Sequence, residues 1–394
     1  MLGLPEFVVL RMEWDQRKQR LSVHCGPAQA EAACPRCGCF SRHVHQYDER
    51  TVRDLPIWGK RCYLRFQARR FKCEQCGRPF SERSPSVNTY PGVTWRYERY
   101  VFGLCRRTSI KAVSQHERLG YKAVEAIYYR QATGEVTLGD SEVVKRLGMD
   151  EIALRKGHDQ YNLVLIDLDT GRVLTLLADR KKETLEAHFD TWSQEQRAAV
   201  EEVAIDMWEP YFLAAQAKLP NAVVTADRFH VMKNLNERVT EARRKIQRSA
   251  SAEEKEKLKG IRWLLVKNEA DLTEQEKATL EQACEAAPLL GQLHQFREGF
   301  REIFESPLDL KAAGERLEEW IASVQAAGLK ALDKFVSTLR NWWQPILNYF
   351  EKRTTSGPVE GTNNKIKLIK RVGYGYTNFR HFRARVVTEC DGAA

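Results

Sequence analysis

The chain lacks any run of about 18 apolar residues, the length needed to cross a bilayer, so no membrane partner is expected. Its opening stretch, MLGLPEFVVLRMEW, has neither a basic leader nor a small-residue cleavage site, so a secretory signal is not expected. Tandem repeats and long low-complexity tracts are also missing, which excludes solenoids and disordered spacers. What remains is a 394-residue chain with 43% hydrophobic and 29% charged residues, enough to bury the cores of several domains. Without a secretion signal, ten cysteines argue against a disulfide framework and direct attention to their spacing.

Acidic side chains are scarce in two places. Residues 1–139 hold 24 of the 63 basic side chains but only 13 of the 53 acidic ones. Residues 352–385 hold nine basic groups against one acid, Glu360. The formal net charge of +10 is therefore segregated to both ends around a slightly acidic middle, a distribution suited to a polyanion held at two places.

Cys34-Pro-Arg-Cys37 and Cys73-Glu-Gln-Cys76 are each followed by a glycine, Gly38 and Gly77. Such pairs form knuckles that offer two thiolates from one tight turn, and two knuckles make the tetrahedral set preferred by structural Zn2+. A redox dithiol is the competing reading. Cys39, His43 and His45 are nearby bystanders. Further on, Thr94–Cys105, a helix capped by Thr108-Ser109, the turn Leu119-Gly120-Tyr121 and a helix Lys122–Arg130 spell a helix-turn-helix. With Val124 and Ile127 facing inward, Lys122, Glu125, Tyr128 and Arg130 are expected to face a DNA groove.

The next stretch reads as strands interrupted by acids. Met149–Leu154, carrying Asp150 and Glu151, leads through Arg155-Lys156-Gly157-His158 to Tyr161–Leu168, a turn at Asp169-Thr170-Gly171, and Arg172–Leu177. A helix Lys181–Trp192 follows, then Val203–Met207 ending in Asp206, a helix Pro210–Lys218, and Ala222–Asp227. Three antiparallel strands followed by β/α units ending in carboxylates describe a ribonuclease-H-like domain. Phosphoryl transfer on DNA explains the acids, since hard oxygen ligands suit the divalent ions that activate the attacking oxygen. Residues 233–350 are expected to be almost wholly helical, with Trp263, Trp320, Trp342 and Trp343 in their core. Glu360 then opens a helix in which Asn363 and Asn364 lie one turn on and Lys367 two turns on.

These stretches resemble the ISL-three family of bacterial insertion-sequence transposases: Asp150-Glu151 with Lys156-Gly157-His158, Ile205-Asp206-Met207 followed by Tyr211, Asp227-Arg228-Phe229-His230-Val231, Glu360-Gly361-Thr362-Asn363 through Lys367, and Arg371 through Phe379. The resemblance implies a multidomain α+β protein: a zinc ribbon (1–88), a helix-turn-helix (89–138), and a ribonuclease-H-like α/β catalytic domain (139–232 and 354–394) interrupted by a large all-helical insertion (233–353). It implies a catalytic triad of Asp150, Asp206 and Glu360 holding Mg2+ or Mn2+. Asp206 is preferred to Asp227 because it ends the fourth strand. Asp227, His230, Asn363 and Lys367 would support the site, and Lys365, Lys370 and Arg371 would contact DNA. The implied partners are double-stranded DNA, as terminal inverted repeats and target, and a second copy in a homodimer. The implied location is the bacterial cytoplasm at the nucleoid. A DNA-binding regulator with a silent catalytic domain is the alternative.

Overall fold

A computed structural model describes residues 3–88, 92–132, 138–139, 142–153, 161–354 and 357–391, with the backbone alone for 357–360. The Arg155–His158 motif and the Glu360 side chain therefore lie outside the described residues. The chain divides into two compact units, Met1–Ala132 and Thr133–Ala394.

The first unit is built on a long antiparallel hairpin, Val44–Ile57 with Lys60–Lys72. Trp58 and Gly59 connect the strands with φ of 50° and 69°, the doubly left-handed backbone that a tight hairpin turn requires. Lys60–Lys72 alternates, burying Cys62, Leu64 and Phe66 against Leu21, Val23 and Val52. Phe7–Asp15 and Arg20–Pro27 extend this sheet on one side, and Val93–Thr94 and Val87–Asn88 on the other. Three helices follow. Trp95–Arg107 is capped by Thr94, and Ile110–Glu117 by Ser109. Tyr121–Gln131 closes the bundle, which centres on Tyr97, Val101, Val113, Val124, Ile127 and Tyr128.

Strand and bundle share a buried polar contact. Arg53 Nη2 lies 3.1 Å from Glu117 Oε2, and the Tyr97 hydroxyl donates to the same oxygen at 2.7 Å. Arg53 and Glu117 are both buried, so each charge depends on the other.

The second unit holds a five-stranded sheet. Its spatial order is Val173–Leu177, Tyr161–Asp167, Arg146–Ala153, Glu202–Ile205, Val223–Ala226: third, second, first, fourth, fifth along the chain. The first three pair antiparallel and the last two join parallel. Successive side chains of Tyr161–Asp167 go to opposite faces. Leu163 and Leu165 pack with Leu185, Phe189, Tyr211 and Ala214 from the helices Lys182–Phe189 and Glu209–Lys218. Val164 and Ile166 pack with Ile366, Ile369, Phe382 and Val386 from the helices Gly357–Val372 and Phe379–Glu389. The chain thus leaves the sheet after Ala226 and returns to its other face at Gly357.

Between these points runs an all-helical body whose long members are Arg228–Ser249, Glu274–Ala286, Pro288–Glu305 and Leu310–Ala326. Its core gathers Leu235, Phe300, Phe304, Trp320, Phe335 and Phe350, with Trp342 and Trp343 packed against it. Trp263 departs from the expectation of a core residue and is 67% exposed. It lies in a run of turns, not a helix, where Ile261 and Leu265 take the inward positions and turn the indole out.

Candidate active site, cysteine knuckles and DNA-facing helices

The two CxxC pairs meet. Cys34, Cys37, Cys73 and Cys76 hold their sulfurs within 4.8 Å of one another, the one set of three or more metal-donor side chains gathered this tightly among the described residues. The knuckles repeat one another in their hydrogen bonds. Gly38 N–H donates to Cys34 O and Gly77 N–H to Cys73 O, both at 2.9 Å, with φ of 75° and 67° at the glycines. A side chain at either glycine would be held in this left-handed backbone at a cost. Backbone N–H groups of Arg36 and Cys37 bring the Cys34 thiol down to about 7, and those of Cys76 and Gln75 lower Cys73. Cys37 and Cys76 are raised instead, each by the Cys73 sulfur beside it, so the set keeps two thiols protonated until a cation is shared, and four sulfurs gathered this way fit a tetrahedral zinc ion. Phe71 and Phe80 stack beneath it at 5.6 Å between centroids.

Asp150 lies within its strand, and Asp206 and Asp227 each follow the last residue of theirs. Gly148 pairs with Ala204 and Ile205 with Ala226 in parallel register. Continued along the chain, that register sets Asp150 beside Asp206 and Asp206 beside Asp227. Asp150 and Glu151, being consecutive on a strand, part company. Asp150 Oδ2 accepts a hydrogen bond from Asn363 Nδ2 at 2.5 Å, made possible by the return of the helix Gly357–Val372 to that face. Glu151 faces the other way, taking the Tyr211 hydroxyl at 3.2 Å and Arg180 Nη1 at 3.1 Å to each oxygen.

Asp206 is the group under most electrostatic load. Burial, then the negative charges of Glu151 and Asp150, raise it to about 7, against partial relief from Arg180 and Lys233. Among the described residues its buried Oδ1 has no hydrogen-bond partner. A carboxylate oxygen that is dry, unpartnered and beside two further acids fits a divalent cation, which would satisfy the oxygen and cancel the repulsion. Asp227 is differently employed. Its Oδ1 accepts from Phe229 N at 3.0 Å and caps the helix Arg228–Ser249. His230, one turn on, has Nε2 at 3.9 Å from Asp227 Oδ2 and 4.0 Å from Asp150 Oδ1.

The remaining sequence-named residues divide. Lys365, Lys367 and Arg371 are exposed along the helix Gly357–Val372, whereas Lys370 turns inward and donates to Ala153 O at 2.9 Å. In the third helix of the first unit, Lys122 is exposed and pairs with Glu125 at 2.8 Å. Arg130 Nη1 lies 3.2 Å from the buried Glu98. Tyr128 was expected on the groove side but is fully buried, because the apolar stripe of this helix includes 128 as well as 124 and 127. Arg180, stacked 4.3 Å over the Trp208 ring, had no sequence signal, since its partners are distant in the chain. No helix among the described residues is long and apolar enough to cross a membrane.

Comparison with known proteins bears on this arrangement directly. Residues 147–386, the sheet and both flanking helical layers, match a family model described as the transposase of the ISL3 family. The chain belongs to the ISL3 transposases. Residues 30–76 match the zinc-finger of transposases of insertion sequences IS204, IS1001, IS1096 and IS1165, which takes in all four knuckle cysteines of this ISL3 chain. Residues 82–132 match the helix-turn-helix domain of the same family. The chain is 30% identical over 398 residues to the transposase for insertion sequence element IS1001 of Bordetella parapertussis, covering 100% of this chain and 97% of that one. It is 26% identical over 374 residues to the transposase for element IS1557 of Mycobacterium tuberculosis, covering 88% and 83%. Its ISL3 membership brings DNA binding by the helix-turn-helix and a soundly based zinc module.

Proposed function

We propose that this chain is an active DNA transposase: it binds the terminal inverted repeats of an insertion sequence, cuts the DNA at the element's end, and joins the freed 3′-hydroxyl to target DNA. The observation that carries the reading is Asp206, whose buried Oδ1 has no hydrogen-bond partner among the described residues, just past a strand whose parallel register, continued, brings it level with Asp150 and Asp227. The strand order supports a ribonuclease-H-like domain, with the helical residues 233–353 as an insertion before the Glu360 helix. The working division is 1–88, 89–138, 139–232, 233–353 and 354–394.

Asp150, Asp206 and Glu360 would hold Mg2+ or Mn2+. A divalent ion there supplies Lewis-acid stabilisation of phosphate oxygens and a water of lowered pKa. The chain's own groups do the positioning. Asn363 fixes Asp150 through Oδ2, and Asp227 caps its helix so that His230 lies in ion-pair range of Asp150. Lys365, Lys367 and Arg371 face solvent where a phosphate backbone can approach. Lys122, Glu125 and Arg130 are the groove-side residues of the helix-turn-helix, and a homodimer at the nucleoid would serve the two ends of the element.

The test is strand cleavage and joining by the full-length zinc-loaded protein, using a labelled duplex that carries the element end and an unlabelled target. Mg2+-dependent nicking followed by joined product is the expected result. Tight binding with neither step, under Mg2+ or Mn2+, would leave a DNA-binding regulator, and cutting without joining would leave a nuclease.

A further inference from the structure

A groove begins two residues beyond Asp227 and runs along the helix Arg228–Ser249. Phe229, Met232, Asn236, Thr240 and Arg244 follow at three- and four-residue steps and form one wall, with Lys233, Glu237 and Glu241 beside them. Arg262, Trp263 and Val266 form the other, and the space between is about 580 Å³. From Phe229 to Arg244 the helix advances ~22 Å, away from the row of acids.

Two independent features mark what this groove would take. The first is aromatic. Phe229 is 57% and Trp263 67% exposed, and the Arg262 guanidinium lies 4.6 Å from the Trp263 ring centroid. An exposed indole beside an arginine is a surface on which an unpaired base stacks, whereas paired bases hide their faces in the helix. The second is cationic. Arg243 lies close enough to Arg244 and Arg262 that both depress its proton affinity, after burial. Its Nη1 donates to Gln247 at 2.7 Å, but its buried Nε has no partner among the described residues. No ion pair among the described residues engages Arg243, Arg244 or Arg262. The acids nearest in the groove, Glu237 and Glu241, pair instead with Arg238. Three guanidinium groups that repel one another and pair with no carboxylate among the described residues are matched by a run of phosphates.

We infer that this groove binds single-stranded DNA, with an unpaired base stacked on Trp263 and the backbone phosphates following to Arg244 and Arg262, backed by Arg243. The strand would be one leaving the cut, held open beside the acids. That last clause rests on the reading of Asp150 and Asp206 as the cutting site, whereas the preference for unpaired DNA does not.

Binding of the full-length zinc-loaded protein to a fluorescein-labelled oligothymidylate, and to a duplex of equal length, is measured by anisotropy. Trp263→Ala should weaken oligothymidylate binding about 5- to 150-fold, the loss of one stacked base, and change duplex binding less than about twofold. Trp263→Phe should recover most of the loss. The double variant Arg244→Ala, Arg262→Ala should reduce the steepness of the oligothymidylate salt dependence by about 1.4, from about 0.7 per phosphate contact. Because Trp263 is exposed, its variants should melt like the wild type. Oligothymidylate affinity within twofold of wild type in Trp263→Ala, or equal losses on both DNAs, would overturn the proposal. Neither readout needs cleavage, so an inert nuclease assay would sink the assignment of the acids while leaving the groove standing.

Discussion

Asp206 owes its unusual chemistry to position: it follows a four-residue buried strand and meets the charges of Glu151 and Asp150 before it meets solvent. Raised to about 7, it binds a proton in the native state across a range where the unfolded chain has already lost it. Native stability should therefore fall as pH rises from the ordinary carboxylate range through about 7, and level off above. In metal-free protein, the difference in melting temperature between pH 5 and pH 8 should be smaller for Asp206→Asn than for wild type, and Mg2+ should raise the wild type most at pH 8. An unchanged pH response in Asp206→Asn would count against this loading. At this scale the sequence was readable where chemistry repeats along the chain, as in the four cysteines and the strand-end acids. It was not readable where the partner is remote. Nothing near Arg180 announces its contact with Glu151, and Lys370 looks like its exposed neighbours until its helix is laid against Ala153.

At the scale of elements, local signals served well. Thr94 and Ser109 cap the helices they precede, and the strands at Tyr161–Asp167, Glu202–Ile205 and Val223–Ala226 lie within a residue or two of their sequence assignments. Misreadings came from the width of a buried stripe, as at Tyr128, or from turns inside a helical region, as at Trp263. Two devices hold the first unit together and can be removed separately. Chelation of zinc should release one ion per chain and unfold the knuckle region, seen as exposure of the Phe71 and Phe80 core and loss of DNA binding, while the sheet of the second unit stays folded. Retained binding after complete zinc release would show the module to be self-supporting. Glu117→Ala leaves Arg53 buried with its charge uncompensated, so denaturant unfolding of the first unit should show a loss of about 3–5 kcal/mol. A loss below about 1 kcal/mol would mean that water reaches the arginine.

For the whole molecule, the charge segregation seen in the sequence maps onto two separate parts of the chain. The basic excess of residues 1–139 largely falls in the unit with the knuckles and the three-helix bundle, and the later basic stretch surrounds Glu360 and the exposed Lys365, Lys367 and Arg371. The order of modules was legible because each carries its own short-range pattern. The return of residues 357–389 to the sheet was carried by the family resemblance alone, which joins 354–394 to 139–232; the packing itself, Ile366 and Phe382 against Val164 and Ile166, is a contact between segments separated by the entire helical body and has no local signal. The claim that joins these scales is that Asp150, Asp206 and Glu360 act as one site across that separation. Metal-dependent nicking of an element-end duplex, measured for Asp206→Ala, Glu360→Ala and Asp227→Ala in parallel, tests it most directly. The account predicts that the first two lose activity by about a thousandfold or more. Asp227→Ala should keep measurable nicking and lose about 1 kcal/mol of stability with its helix cap. Full activity in Glu360→Ala or Asp206→Ala, or an Asp227→Ala as inert as they are predicted to be, would contradict it.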